Sequence, residues 1–207
     1  IGSILDAAAR RDGRVRPMRQ AAAGLTRALQ AGCAAASGRV LARLDVGDRC
    51  LPGRLRAELA LLDQHPGVRL VSCGTRYVYE DGTVLFEDLR RDSAEDATRR
   101  LRERSFRRAR SLTHHGSAMF RRADYEAVGG YREAFYFAQD IDLWLRLTDH
   151  GSVAFVPEVG YEARIGSGSL SARNSRAQSA LAELAYAIRL ARSSRSRSSC
   201  PDARRRH

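Results

Sequence analysis

Two carboxylates stand three residues apart in the stretch Arg43-Leu44-Asp45-Val46-Gly47-Asp48-Arg49-Cys50-Leu51-Pro52. They close an apolar, strand-like run over 39–44. Acids placed there suit two different jobs. Hard divalent cations take carboxylate oxygens, and a cation so held can grip a phosphate. The same residues also make a solvated turn ahead of a helix that Pro52 opens. The spacing by itself leaves both readings standing.

The other residue types that do chemistry give less. Four cysteines, at 33, 50, 73 and 200, form no Cys-x-x-Cys pair and no cluster with zinc spacing. They read as reduced thiols, mostly buried, which points to a cytoplasmic chain. The formal net charge of +12 invites a nucleic-acid partner. Against that, all 36 basic side chains are arginine, many alternate with acids as in Arg54-Leu55-Arg56-Ala57-Glu58, and no recognition motif accompanies them. That run reads as a solvated helix face, and nucleic acid is not expected. No apolar run approaches the ~18 residues that span a bilayer.

The elements that must position the acids follow from periodicity. Helices are expected over 1–11, 25–36, 53–64 (Leu55, Leu59 and Leu62 inward), from 93 to about 104, 123–128, 140–148 and 175–191, the last with Leu181, Leu184, Ala185 and Ile188 on its apolar face. Strands are expected over 39–44, 68–72, 117–120 and 153–156. A hairpin is expected for 76–79 and 83–86 about the Glu80-Asp81-Gly82 turn. Residues 193–207 read as a low-complexity disordered tail. Alternating strands and helices imply an α/β layered fold, and in open α/β sheets ligands sit outside the carboxyl ends of strands. Asp45 and Asp48 lie at such an end.

Four motifs in order, "GLTRALQAG", "RVLARLDVGDRCLPGRL", "HHGSAMFRRADYEAVGGY" and "AQDIDLWLRL", together resemble the family 2 glycosyltransferases of the GT-A fold. The resemblance covers about residues 3–172. It implies a Rossmann-type layered sheet with helices on both faces, in a chain that lacks the family's first strands. The expected division is a partial GT-A domain over 1–174, an amphipathic helix over 175–192 and the tail. The strand at 39–44 would then be a sheet edge.

The implied chemistry is inverting transfer of a sugar from a nucleotide-sugar donor to a hydroxyl of a glycan or lipid-linked acceptor, in surface-polysaccharide synthesis. The alternative is a non-catalytic relative that keeps only the fold. By the resemblance, Asp45 and Asp48 hold Mn²⁺ or Mg²⁺ in a weakened site, because Gly47 stands where the motif's second acid belongs. Asp140 is the general base, although as a helix cap its pKa would be held down; Gln139 replaces the usual Glu before it. Asp142 is expected to stabilise the first helical turn. Arg164 and Ser169 face the donor phosphates, with Gly166 in place of a histidine. His115, Ser117 and Trp144 line the acceptor side, Trp144 as core or cleft wall, and Gly116 replaces the family's proline between His115 and Ser117. His114 reads as a solvated neighbour. The basic C-terminal helix and tail suggest peripheral contact with an anionic membrane, at its inner face.

Overall fold

The computed structural model describes residues 2–102, 114–165 and 175–198, with side chains from 176 to 192 in the last stretch. Among them are strands β1 (Val40–Ala42), β2 (Arg49–Cys50), β3 (Val68–Tyr79), β4 (Val84–Asp88), β5 (Met119–Arg121) and β6 (Ser152–Ile165). The α-helices are α1 (Gly2–Arg11), α2 (Leu25–Ala35), α3 (Arg54–Gln64), α4 (Ala94–Arg102), α5 (Arg122–Ala127), α6 (Gln139–Thr148) and α7 (Ser175–Ser198).

The strands form one mixed sheet in the order β1-β5-β3-β6-β2. Only β3 and β6 run parallel; the other pairs are antiparallel, and β4 folds back on the second half of β3. Successive side chains of a strand point to opposite faces, and the core divides accordingly. Leu70, Phe120, Val153 and Phe155 enter the larger cluster, built with α4, α6 and α7. Val71, Met119, Ala154 and Val156 enter the smaller one, under Leu62 of α3. Helices therefore cover both faces, and β1 ends the sheet as its edge.

Three expectations change. The Arg54–Glu58 stretch is not a solvated face: both side chains are buried and ion-paired at 3.1 Å, while Leu55 is half exposed. An i,i+4 charge pair looks the same in sequence whether water or protein surrounds it. Helix α7 runs to Ser198, six residues into the expected tail, since arginine sustains a helix once one is nucleated. Of its expected apolar face, Ala185 is buried and Leu181 and Ile188 pack against the core, while Leu184 is 47% exposed and Ala182 and Tyr186 are buried in addition. That face is part of the main core, not of a separate appendage. Helix α1 has no fully buried residue, and Ile4 is 71% and Leu5 42% exposed.

Register brings the chemistry together. Ala42 pairs with Met119 across the antiparallel β1–β5 ladder, so the residues leaving β1 lie beside those entering β5. The Arg43 N–H donates to the Ala118 carbonyl at 3.0 Å and extends this contact. On the other side, β2 pairs Arg49 with Glu162 and Cys50 with Tyr161, which draws the acidic turn onto the far half of β6.

Candidate active site

The acidic segment is a turn with a backbone reason for its glycine. The Asp48 N–H donates to the Asp45 carbonyl at 3.2 Å, closing a four-residue turn. Gly47 holds its third position with φ of +92°. A type II turn puts a positive φ at that position, where an L side chain is strained. The residue missing a ligand is thus the one that the turn geometry asks to be glycine.

Within this turn the two carboxylates come together, joined by a residue that the sequence reading left in solvent. Asp45, Asp48 and His114 each offer one ligand atom, and these atoms all lie within 4.8 Å of one another. Asp48 is held by two donors, the Tyr161 hydroxyl to Oδ2 at 2.7 Å and the Arg164 backbone N–H to Oδ1 at 2.9 Å. Asp45 Oδ1 lies 2.6 Å from Arg43 Nη2. The Arg43 charge already offsets this buried oxygen, which accepts no well-aligned hydrogen bond. A carboxylate oxygen has two lone pairs, and an oxygen-rich pair at this spacing fits a hard divalent cation. His114 Nδ1 accepts the Gly116 N–H at 3.1 Å. A neutral ring bonded this way carries its proton on Nε2, so ligation through Nε2 requires giving up that bond.

Asp140 lies near enough for the charge of Asp45 to act on it. Its helix is capped by Ala138, in the left-handed region at φ of 56°, and not by Asp140 itself. Burial pushes the Asp140 carboxyl above its ordinary value; the Ile141 and Asp140 backbone N–H groups oppose this, and the charge of Asp45 adds to it. Burial therefore outweighs the helix end that was expected to hold this acid down. Arg43, which the sequence reading passed over, links these groups: its charge is felt by Asp140, His114, His115 and Tyr131.

The expected acceptor-side residues separate. His115 bonds the Tyr131 hydroxyl through Nε2 at 3.0 Å and packs edge-on against Trp144. Its burial drives the imidazole pKa well down, which keeps the ring neutral. Ser117 is fully buried, donating to the His114 carbonyl and sharing a hydrogen bond with the Ser72 hydroxyl, so it braces the turn and cannot reach an acceptor. Trp144, 1% exposed, belongs to the core. Asp142 does more than steady a helical turn: it is buried between Arg132 and Arg146, and Arg146 also ties α6 to the Val128 and Gly130 carbonyls. The Arg164 side chain is exposed, and only its backbone touches the site. Ser169 and Gly166 lie outside the described residues.

Comparison with known proteins agrees with this architecture. The chain is 29% identical over 151 residues to the amylovoran biosynthesis glycosyltransferase AmsE of Erwinia amylovora, covering 72% of this chain and 54% of that protein. Among solved structures it resembles the mannosyltransferase PcManGT of Pyrobaculum calidifontis in complex with GDP-Man and Mn²⁺. The TM-score is 0.59 and the identity 20%, over 91% of this chain and 51% of the other. It also resembles S. aureus TarS 1–349 in complex with UDP-GlcNAc, with a TM-score of 0.57 and 12% identity, over 82% of this chain and 48% of the other. The chain thus spans about half the length of the relatives it matches. Residues 2–129 match the model of "Glycosyl transferase family 2", and with the GT-A-type sheet and acidic turn described above the chain belongs to that family.

Proposed function

We propose that this chain carries the catalytic centre of an inverting glycosyltransferase that moves a sugar from a nucleoside-diphosphate donor to a hydroxyl acceptor. What supports the reading is the electrostatic coupling of Asp140 with Asp45 and with Arg43, which is itself ion-paired to Asp45. Asp45 and Asp48 would hold Mn²⁺ or Mg²⁺, and the ion when bound would offset the charge growing on the departing diphosphate. Asp140, made more basic by burial, would take the proton of the acceptor hydroxyl as the new bond forms. The exposed Arg164 side chain would be the group to meet donor phosphate. A glycan or lipid-linked acceptor is in keeping with the AmsE relative, which serves amylovoran biosynthesis. No helix among the described residues is long and apolar enough to cross a membrane; contact with an anionic inner membrane surface would come from the arginine-rich α7.

The test is sugar transfer by the 207-residue chain from a panel of nucleoside-diphosphate sugars, with Mn²⁺ supplied. Asp140→Asn should lower transfer at least ~100-fold, as for loss of a general base, while Mn²⁺-dependent binding of the nucleoside diphosphate persists. Transfer unaffected by Asp140→Asn would refute the assignment. One observation favours a second reading, a fold kept without catalysis: the turn gives its second motif position to a glycine at φ of +92°, where a ligand side chain is strained. That reading requires calorimetry to find no nucleotide binding with Mn²⁺ present.

A further inference from the structure

Tyr161 is fully buried, yet its hydroxyl reaches the backbone of one motif acid and the side chain of the other. It accepts the Asp45 N–H at 3.1 Å and donates to Asp48 Oδ2 at 2.7 Å. The ring is fixed from two sides. The Arg54 guanidinium lies over it, 5.1 Å from the centroid, and the His114 ring packs against it at 5.1 Å. Arg54 in turn donates to the Arg43 carbonyl at 3.1 Å, so the same support reaches the chain entering the turn.

Gly116 explains how the hydroxyl gets there. A Cβ on Gly116 would stand 1.9 Å from Tyr161 Oη, 2.5 Å from Cζ and 3.2 Å from Asp45 Cγ. Any residue with a Cβ, proline included, is therefore incompatible with Tyr161 in this position. The glycine between His115 and Ser117 and the tyrosine on β6 form one feature, made by a 3-10 turn and a strand far apart in sequence.

We infer that the Tyr161 hydroxyl is a latch that sets the spacing of the Asp45–Asp48 pair for a divalent cation, and that residue 116 is glycine to admit it. The inference rests on the metal reading under Proposed function. Tyr161 is a positioning residue: it touches neither donor nor acceptor and acts through the two acids. By keeping one acceptor lone pair of Asp48 occupied and the Asp45 backbone fixed, it takes over ordering that a second motif acid at Gly47 would otherwise share. Partners of metal-binding carboxylates commonly change metal affinity 10- to 100-fold when removed.

The experiment uses the full chain, Tyr161→Phe and Gly116→Ala. Phe keeps the ring on Arg54 and His114, and the fluorescence of Trp144 checks that each variant is folded. Two readouts are taken: amide exchange of the Asp45 N–H by NMR, and free Mn²⁺ by electron paramagnetic resonance in a titration of the metal alone. In Tyr161→Phe the Asp45 amide should lose protection and Mn²⁺ should bind at least about tenfold more weakly. Gly116→Ala, which displaces the hydroxyl, should do the same, and the double variant should be no worse than the weaker single because both changes break one contact. Unchanged Asp45 protection, or unchanged Mn²⁺ affinity in a folded Tyr161→Phe, overturns the latch. If the unmodified chain binds no Mn²⁺ while Asp45 protection depends on Tyr161, the metal reading has failed and the latch with it, leaving a purely structural brace.

Discussion

At the scale of single residues, the acidic turn shows a conflict between backbone and ligand. Gly47 has a φ of +92° and open space around its missing Cβ. A side chain there meets no steric clash, only the conformational cost of a positive φ, about 1–2 kcal/mol for an L residue. Gly47→Ala should therefore lower unfolding free energy by about that amount in a denaturant melt and leave Mn²⁺ affinity unchanged. Gly47→Asp should bear a similar cost but add a carboxylate beside Asp45 and Asp48, so the same melt should show destabilisation while a Mn²⁺ titration shows tighter binding. Destabilisation without tighter binding would mean that the cluster takes no cation at this turn. His114 belongs to the same scale. Its neighbour His115 is easily read as the motif residue, whereas His114 joins the acids only because the β1–β5 register carries it there.

At the scale of elements, what periodicity displays was legible and what pairing creates was not. Helix α6 and the hairpin around Gly82 announce themselves, one by its apolar stripe and the other by its turn residues. Strand β6 was read only as 153–156, because Pro157 and Glu158 interrupt the pattern. In the structure Cys73 pairs with Val156 and Gly74 with Val159, so Pro157 and Glu158 fall in a register shift and the strand continues to Ile165. The hidden half of that strand carries Tyr161, which is why the latch escaped notice while the acids it holds did not. Helix α3 hid its charge pair for the reason given above, and that pair has a consequence for pH. Burial raises the Glu58 carboxyl from 4.5 to about 6, more than the Arg54 charge beside it lowers it. With the folded pKa above the unfolded one, this contribution to stability is fully present below pH 4.5 and is lost as pH rises through 6. At 1.36 kcal/mol per pKa unit the loss is about 2 kcal/mol. Wild-type stability minus that of Glu58→Gln should therefore fall by about 2 kcal/mol between pH 4 and pH 7 in paired denaturant melts. A flat difference would mean that Glu58 ionises in the folded chain as freely as in the unfolded one.

At the scale of the whole molecule, Asp45 and Asp140 are carried by different parts of the core. Asp45 and Asp48 sit between β1 and β2, beside the far half of β6, whose Tyr161 and Ala163 share the smaller cluster with Leu62 of α3. Asp140 sits in the first turn of α6, whose Ile141, Leu143, Trp144, Leu145 and Leu147 are buried in the larger cluster together with α7. Helix α7 joins that cluster through Ala182, Ala185 and Tyr186, and the Tyr186 hydroxyl donates to the Leu101 carbonyl at 2.9 Å, binding α7 to the end of α4. Whatever loosens α7 must loosen the footing of Asp140. Trp144, the single tryptophan, sits in this cluster and reports on it directly. Tyr186→Ala should cost about 3–5 kcal/mol, as for removal of a buried aromatic side chain. Tyr186→Phe, which loses only the bond to Leu101, should cost about 1 kcal/mol. Both losses should appear as shifts of one cooperative Trp144 fluorescence transition in denaturant. If α7 were an appendage, Tyr186→Ala would leave the Trp144 midpoint where it is, and Asp140 on α6 would owe its position to the sheet alone.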